Sequence, residues 1–500
     1  MSPVLSGAAV ETALARRIAV AGPALGLQLG DSGAANARAL VERMVGASDR
    51  DAWLGFVACS GAYPTRPELA GFRRAIALSP ADERVAAALA SVVDAVGRPG
   101  RPLRDIVLVD DPAVVLVDVT FSAANDHNTG VQRVVRSFVP EWVRSGRPVR
   151  LVRWSPSGAG YVDLDDVERE RVLAWGTARD ATAPSAARPA SPPIVVPWGC
   201  GVFFPEVLQQ GESGEAACLA EYAGATIGVL GHDTIPVSSA DTVPEVESER
   251  FAKFLDVVKH ADFLAGVSHS AASEFEGFVH TLSAQGLSGP RVVAVPNAVE
   301  VPLVARAVEA PTAVLGDLPV VLCVGSHEPR KNQEAVFAAA KALFREGVAF
   351  RMVFVGGGGL QQTAAFDVDV ARWQKRGMPV ESHRRLPDSQ LWLLYKQARF
   401  TVLLSLHEGF GLPVAESVAL GTPVLTSNYG SLAEVAAAGG CLTVDPRDDE
   451  QILAGMRSML EDDELVGRLR AEARSAPTRT WAQFADELWS AYRAGAEGRQ

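Results

Sequence analysis

Short apolar runs alternate with amphipathic segments over most of the chain, across residues 114–299 and again across residues 320–460. Apolar runs of about four to eight residues between turn residues are typical of buried strands, and apolar residues three or four positions apart are typical of helices. Their alternation favours parallel sheets covered by helices. The pattern therefore predicts an α/β protein with two parallel-sheet domains, at residues 106–305 and 306–475.

The first part of the chain has a different pattern. Ala-rich amphipathic runs, such as residues 11–19 and 82–96, predict a separate helical N-terminal module over residues 1–105. The sequence leaves three roles open for it: binding a protein partner, extending the acceptor site, or covering the first α/β domain. At the other end, the amphipathic pattern of residues 481–492 predicts a helix within a terminal segment, residues 476–500.

Two glutamates flank a glycine-rich turn in the second domain. Glu408 follows the apolar run 400–406, and Glu416 lies eight residues after Glu408. Between them stand Gly409, Gly411 and Pro413. Glycine lets a ligand approach the backbone closely, and proline suits the first turn of a helix, whose free N–H groups attract an anion. This segment therefore predicts a strand-to-helix turn that accommodates a nucleotide diphosphate.

A pair of cations follows the first apolar run of the second domain. Arg330 and Lys331 come after residues 320–324 and a loop that begins at Gly325. Arginine offers a planar fork of donors and lysine a compact charge, so that together they can neutralise a departing diphosphate. The alternative for such a pair is a solvated helix cap. We interpret Arg330 and Lys331 as a phosphate grip.

These two motifs resemble the retaining glycosyltransferases of family 4, in which two glutamates separated by seven residues follow a buried strand. The resemblance implies that Glu408 lies beside the donor sugar and that Glu416 binds the ribose of the nucleotide. Many members carry an arginine directly after the loop glycine, where this chain has Ser326. The donor-binding residues implied are Gly130, Ser326, Arg330, Lys331, Glu408, Gly409, Phe410, Gly411, Leu412 and Glu416.

A loop in the first domain extends this resemblance. Residues 129–133 resemble the Thr-Gly-x-x-Arg loop of a subset of the family, many of whose members act on mannose or rhamnose. The resemblance implies that Gly130 approaches the donor phosphate through its backbone and that Thr129 and Arg133 lie on the acceptor side. An ordinary helix cap is the alternative for the Thr-Gly pair.

A histidine follows another apolar run of the first domain. His232 comes after residues 226–231 and directly precedes Asp233. An imidazole at a strand end can hydrogen-bond a sugar hydroxyl group, and an adjacent carboxylate can fix its tautomer. The family places a histidine here, facing the donor across the cleft. The resemblance therefore implies that His232 is catalytic, together with Glu408, Arg330 and Lys331, and that Asp233 is on the acceptor side.

The resemblance implies the GT-B architecture, in which two Rossmann-like domains face a cleft and the terminal helix returns to the first domain. Ligands in such sheets bind at the carboxyl ends of the strands, where these motifs fall. The implied activity is transfer of a hexosyl unit, with retention, from a nucleotide diphosphate sugar to a hydroxyl group of a glycan or lipid-linked acceptor in polysaccharide biosynthesis. GDP-mannose is the favoured donor, followed by dTDP-rhamnose and UDP-hexoses. Two alternatives stay open: a sugar-nucleotide epimerase or hydrolase, and a non-catalytic GT-B scaffold.

Metal-dependent glycosyltransferases of another fold use an Asp-x-Asp pair. Two such pairs, at residues 163–165 and 367–369, do not follow apolar runs of the kind that predict buried strands. Because Arg330, Lys331 and a helix terminus can supply the positive charge, we expect no metal and no cofactor. A further pattern, Ser431 with Glu434 three residues later, predicts a capping box at a helix start.

Charge and cysteine usage restrict the partners and the compartment. The chain has 47 basic and 59 acidic residues and a net charge of −12, which argues against a nucleic-acid partner. No apolar run approaches the roughly 20 residues that span a bilayer, which argues against a transmembrane segment. Peripheral contact with the inner face of the membrane stays open as an alternative. The five cysteines lack paired spacing, which favours reduced thiols and a cytoplasmic protein.

Overall fold

A computed structural model describes residues 7–97, 104–126, 128–175, 192–209, 211–301, 318–358 and 360–497. Within these ranges the strands form one sheet of nine strands and one of six, and helices cover both. The two sheets belong to the two α/β domains that the alternating pattern predicts. The boundary that we predicted between residues 305 and 306 lies outside the described residues.

Within residues 7–97, the described N-terminal range, the chain forms five helices. They are α1 (Gly7–Ala24), α2 (Gly33–Arg43), α3 (Asp49–Ser60), α4 (Arg66–Leu78) and α5 (Arg84–Gly97). Local signals fix several of their ends: Ser48 accepts from the N–H of Asp51 at the start of α3, and Gly61 ends α3 with a left-handed φ of 69°.

The sequence predicted a separate module for these helices, but they share the hydrophobic core of the first domain. Trp53 and Phe56 of α3 share one continuous hydrophobic core with Trp154 and Ile194 of the first sheet. The hydroxyl of Tyr63 donates to the carbonyl of Val195. The helical region therefore covers one end of the first domain, which is one of the three roles left open.

The first sheet has mixed strand directions. Its strands are β1 (Ile106–Val109), β2 (Val115–Asp118), β3 (Val149–Trp154), β4 (Tyr161–Asp163), β5 (Ile194–Pro197), β6 (Gly201–Phe204), β7 (Thr226–Gly231), β8 (Phe263–Gly266) and β9 (Arg291–Ala294). Their order is β1-β5-β4-β3-β2-β6-β7-β8-β9. The short strand β4 is antiparallel to its neighbours β3 and β5, whereas the other neighbouring strands of this sheet are parallel. A tight turn returns the chain after β3, with the N–H of Ser155 donating to Gly160 O at 2.9 Å.

The described part of the first domain contains seven further helices. They are α6 (Thr120–Ala124), α7 (Gly130–Arg144), α8 (Asp166–Leu173), α9 (Ser213–Tyr222), α10 (Ile235–Ser238), α11 (Glu245–Val258) and α12 (His269–Leu282). Helices α7 and α12 begin in the loops that follow β2 and β8, so their N-termini lie at the carboxyl edge of the sheet.

The second sheet is parallel throughout. Its strands are β10 (Val320–Val324), β11 (Arg351–Val355), β12 (Val380–His383), β13 (Phe400–Leu403), β14 (Val424–Ser427) and β15 (Cys441–Val444), in the order β12-β11-β10-β13-β14-β15. The helices are α13 (Gln333–Arg345), α14 (Leu360–Gln374), α15 (Asp388–Gln397), α16 (Leu412–Ala419), α17 (Gly430–Ala436), α18 (Asp449–Glu461) and α19 (Asp463–Ser475). Because β10 and β13 are neighbours, the loops that follow them meet.

The last helix, α20 (Trp481–Glu497), returns to the first domain. Its residues Phe484 and Leu488 join the core that packs against α7. The indole N–H of Trp142 donates to the carbonyl of Ala485 at 2.8 Å, and the hydroxyl of Tyr492 donates to the carbonyl of Thr226 at 3.0 Å.

Candidate active site

The motifs of the second domain meet at the carboxyl edge of its sheet. Glu408 follows β13, and Arg330 and Lys331 follow β10, which pairs with β13. The N–H of Leu406 donates to the carbonyl of Arg330 at 2.7 Å and ties the two loops together. A cavity of about 190 Å³ opens beside them and is lined by residues of both domains, among them Ser270, Glu408 and Ser431.

Glu408 is held by the two cations that the sequence places in a phosphate grip. The Lys331 ammonium contacts Glu408 Oε1, and Arg330 Nη1 lies 3.2 Å from Glu408 Oε2. The Glu408 side chain is only 9% exposed. Burial favours the protonated form, but Lys331 and Arg330 outweigh it and lower the pKa of Glu408 to about 2. Glu408 is therefore a carboxylate at neutral pH.

Arg330 also has other carboxylate and carbonyl partners. Arg330 Nε donates to Glu328 at 2.9 Å, and its Nη1 donates to the carbonyl of His407 at 3.2 Å. The hydroxyl of Ser326 donates to Glu328 at 2.6 Å. A diphosphate bound here would therefore compete with Glu328 and Glu408 for the N–H groups of Arg330 and Lys331.

Glu416 lies in α16 and is buried, with 2% of its surface exposed. Its backbone position follows from Gly411, whose φ of 98° suits glycine at the start of the helix. Arg133 of the first domain contacts Glu416 Oε1, and the hydroxyl of Tyr395 donates to Oε2 at 3.1 Å. Burial lowers the pKa of Arg133, but the charge of Glu416 outweighs it and raises that pKa overall. Arg133, which we predicted on the acceptor side, thus pairs with the predicted ribose ligand.

His232 lies at the end of β7, against the glycine turn of the second domain. A methyl group at Gly409 would come within 2.1 Å of the carbonyl oxygen of His232, so only glycine fits there. Burial lowers the pKa of His232 to about 4, and the imidazole is neutral near pH 7. Its Nε2 lies 2.9 Å from the carbonyl oxygen of Pro205. A carbonyl only accepts, so Nε2 carries the proton.

The predicted role of Asp233 in fixing that tautomer is wrong. Asp233 accepts from the N–H of Ile235 at 3.1 Å, and Pro205 is the group that orients the His232 ring. Burial raises the pKa of Asp233, and the charge of Arg330 opposes this rise. Asp233 therefore belongs to the electrostatic surroundings of the cation cluster.

Thr129 and Gly130 lie at the exposed N-terminus of α7, on the side of the second domain. A Cβ atom at Gly130 would be 3.8 Å from Leu412 Cδ1, which leaves the backbone close to the turn after Glu408. Phe410 and Leu412 pack against the hydrophobic core of the first domain. These two predicted donor ligands therefore contribute apolar contact between the domains, and their contact with a donor stays a prediction.

Sequence reasoning missed a polar bridge beside Glu408. His407 Nε2 lies 2.7 Å from Glu274 Oε1 in α12, and its Nδ1 lies 2.8 Å from Ser239 Oγ. The hydrogen bond to Glu274 raises the pKa of His407, although burial opposes this. The position of His407, directly before Glu408 at a strand end, was the signal that could have revealed it.

The capping-box interpretation is wrong for both residues. The hydroxyl of Ser431 donates to the carbonyl of Glu408 at 2.7 Å. Glu434 accepts from the N–H groups of His269 and Ser270 at 2.9 and 2.5 Å. Glu434 therefore caps α12 of the other domain, and its negative charge also interacts favourably with the partial positive charge of that helix N-terminus.

The Asp-x-Asp acids have structural partners. Asp163 pairs with Arg150, and Asp369 pairs with Lys341. In the described ranges no group of three or more His, Cys, Asp and Glu side chains is arranged to hold a metal ion. None of the helices described is long and apolar enough to cross a membrane.

Comparisons with known proteins cover different parts of the chain. Residues 306–476 match the family model described as glycosyl transferases group 1. The serotype-specific mannosyltransferase WbdA of Escherichia coli is 27% identical over 359 residues, which are 64% of this chain and 38% of that protein. The O-antigen chain mannosyltransferase B of Escherichia coli is 35% identical over 143 residues, covering 28% of this chain and 37% of that protein. The chain thus spans well under half the length of these relatives.

Among solved structures, the sucrose-phosphate synthase of Thermosynechococcus elongatus covers 78% of this chain and 100% of its own, with a TM-score of 0.51 and 17% identity. At this identity the likeness concerns the fold, which agrees with the two sheet domains described above. The chain therefore has the GT-B fold, and the part of it that matches the family model of glycosyl transferases group 1 is residues 306–476.

Proposed function

We propose that this protein is a retaining, metal-independent glycosyltransferase that moves a hexosyl unit, with mannose favoured, from a nucleotide diphosphate sugar to a hydroxyl group of a glycan or lipid-linked acceptor. The observation that carries the proposal is the buried cluster of Glu408, Arg330 and Lys331 at the carboxyl edge of the second sheet. The mannosyltransferase relatives support the choice of mannose, and GDP-mannose is the donor that we would test first.

The cluster suits departure of a diphosphate. Negative charge on the leaving group grows as the bond to the sugar breaks, and Arg330 and Lys331 are positioned to stabilise that charge in a buried setting. Groups of this kind typically contribute about 10²–10³ in kcat. With these cations and the N-terminus of α16 at hand, no divalent ion is needed for charge neutralisation.

Glu408 and His232 have restricted protonation states in this mechanism. With a pKa of about 2, Glu408 cannot donate a proton, so it supports the positive charge that develops at the anomeric carbon. His232, neutral with its proton on Nε2, offers Nδ1 as an acceptor for a sugar hydroxyl group. The acceptor hydroxyl then attacks from the face that the diphosphate leaves and passes its proton to an oxygen of the departing diphosphate, which retains the configuration.

Calorimetric titration of GDP, UDP, dTDP and ADP tests the donor site, with magnesium and with chelator. We expect one nucleotide to bind equally well in both conditions and to bind at least tenfold more weakly to Glu416→Ala. Glu464→Ala is the matched control, since Glu464 is an exposed glutamate of the same domain. Absence of binding to all four nucleotides would favour the non-catalytic scaffold.

Turnover assays then separate the enzymatic alternatives. We expect the nucleotide sugar to be consumed only when an oligosaccharide acceptor is present, and the anomeric configuration to be retained in the product by proton NMR. Rapid consumption of donor without acceptor would favour the epimerase or hydrolase. Lys331→Ala should reduce kcat by about 10²–10³, whereas the exposed Lys375→Ala should not.

A further inference from the structure

Glu416, the predicted ribose ligand, is covered in this arrangement of the two domains. Its side chain is 3% exposed. Both of its carboxylate oxygens have partners, since Arg133 contacts Oε1 and the hydroxyl of Tyr395 donates to Oε2 at 3.1 Å. Tyr395 belongs to the same domain as Glu416, whereas Arg133 belongs to the other. Of these two contacts, the one with Arg133 is therefore the one that breaks when the domains move apart.

Arg133 is the outer member of this pair. Its side chain is 35% exposed, compared with 3% for that of Glu416. It belongs to the first turn of α7, which also meets α16 through Gly130, because a Cβ atom at Gly130 would lie 3.8 Å from Leu412 Cδ1. If α7 moves away from α16, it carries Arg133 with it and uncovers Glu416.

Arg133 is attracted by groups of the second domain. Burial lowers its pKa, but Glu416, followed by Tyr395 and Asp388 of α15, raises that pKa overall. The carboxylate of Glu416 thus has a cation as its partner before a ligand arrives. The ribose of a nucleotide is uncharged, and its hydroxyl groups can replace the hydrogen bonds of Arg133 but not its charge. Displacement of Arg133 by ribose therefore costs free energy, because a buried carboxylate loses its counter-charge.

We propose that Arg133 competes with the ribose of the nucleotide for Glu416, so that the nucleotide enters only after this contact between the domains has broken. The inference rests on the proposed function, in which Glu416 binds that ribose. When the binding-competent arrangement is only a fraction of the population, the measured dissociation constant exceeds the intrinsic one by the reciprocal of that fraction. The same competition acts on the product nucleotide and favours its release.

Calorimetry of the full chain with GDP, UDP, dTDP and ADP tests the competition. Arg133→Met keeps most of the length of the side chain and removes its charge. We expect this variant to bind nucleotide roughly fivefold more tightly than the wild-type chain, which is the scale of one partly exposed ion pair. It should also unfold at a lower urea concentration, because the ion pair is lost. A purely structural role of Arg133 would lower stability without tightening nucleotide binding.

Two further variants make the test specific to Arg133. Arg144→Met is the matched control, because Arg144 lies on the same helix and pairs with Glu141 of that helix. We expect it to leave nucleotide affinity unchanged. Arg133→Lys keeps a cation beside Glu416, and it should therefore bind nucleotide more weakly than Arg133→Met does.

A double-mutant cycle tests whether Arg133 acts through Glu416. In the Glu416→Ala background, Arg133→Met should no longer tighten nucleotide binding, because the group for which Arg133 and ribose compete is gone. Equal or weaker nucleotide binding by a folded Arg133→Met protein, with binding by the wild-type chain, would overturn the competition and leave the proposed function standing. Absence of binding by both proteins would overturn the proposed function and the competition with it.

Discussion

Replacing Glu408 with glutamine should tighten nucleotide binding while it reduces turnover. The carboxylate holds Lys331 and Arg330, the same cations that a diphosphate needs. Glutamine keeps the size of the side chain and removes its charge. The diphosphate then no longer competes with a carboxylate, and it no longer approaches a buried negative charge.

The expected size follows from the pKa of Glu408. Its fall from 4.5 to about 2 corresponds to roughly 3 kcal/mol in favour of the carboxylate, at about 1.4 kcal/mol per pKa unit. Part of the stabilisation of the Glu408 carboxylate persists if Lys331 and Arg330 contact Glu408 and the diphosphate at the same time. We therefore expect about tenfold tighter binding of whichever nucleoside diphosphate the wild-type protein binds.

A double-mutant cycle with Lys331→Met makes this prediction specific. Calorimetry at neutral pH would measure the dissociation constant for the wild-type protein, both single variants and the double variant. We expect Lys331→Met to weaken binding and Glu408→Gln to have a smaller effect in that background. Equal or weaker nucleotide binding by a folded Glu408→Gln protein would refute the competition between carboxylate and diphosphate.

Three further predictions concern contacts that involve the first domain. Gly409→Ala should lower kcat/KM by about 10² or more, because its methyl group would meet the His232 carbonyl, whereas Gly467→Ala, which has open space, should not. The raised pKa of His407 means that its charged contact with Glu274 is complete below pH 6.5 and is lost as the pH rises through the raised value. The carboxylates of Asp233 and Glu408 also act on this imidazole, and Arg330 contacts only the backbone carbonyl of His407 among the bonds described. Glu274→Gln, unlike exposed Glu276→Gln, should flatten the high-pH part of the kcat/KM profile. Tyr492→Phe should cost about 1 kcal/mol of stability in urea unfolding without changing nucleotide affinity, since its hydroxyl donates to the carbonyl of Thr226, far from the proposed donor site.

The local pattern of the sequence was enough to predict the second sheet and the loops that carry the site. Strands such as β10 and β13 are continuous apolar runs because both faces of a parallel sheet are covered. The turn after Glu408 needs Gly411 at a positive φ and Pro413 in the first helical turn, and both requirements are visible in the sequence. Residues that act through nearby backbone geometry are thus predictable from the sequence.

Partners distant in the sequence were not predictable in this way. Glu434 has the spacing of a capping residue, yet its hydrogen bonds go to an N-terminus 164 and 165 positions away. The contact of Arg133 with Glu416 spans 283 positions. The three-residue strand β4 is too short to show a period, and the amphipathic faces of α1–α5 do not reveal which surface they cover. In each case the deciding contact is tertiary.

The contacts between the domains near Glu408 are largely polar, which lowers the free-energy cost of opening the cleft. Glu434 caps α12, His407 meets Glu274, and Arg133 meets Glu416, so each contact joins groups that water can also satisfy. Separation of the domains would therefore cost less than exposure of a hydrophobic interface of equal area. Phe410 and Leu412 add apolar contact close to the turn itself. This combination of polar and apolar contacts suits a cleft that opens for the donor and closes again with the two domains in one defined relative position.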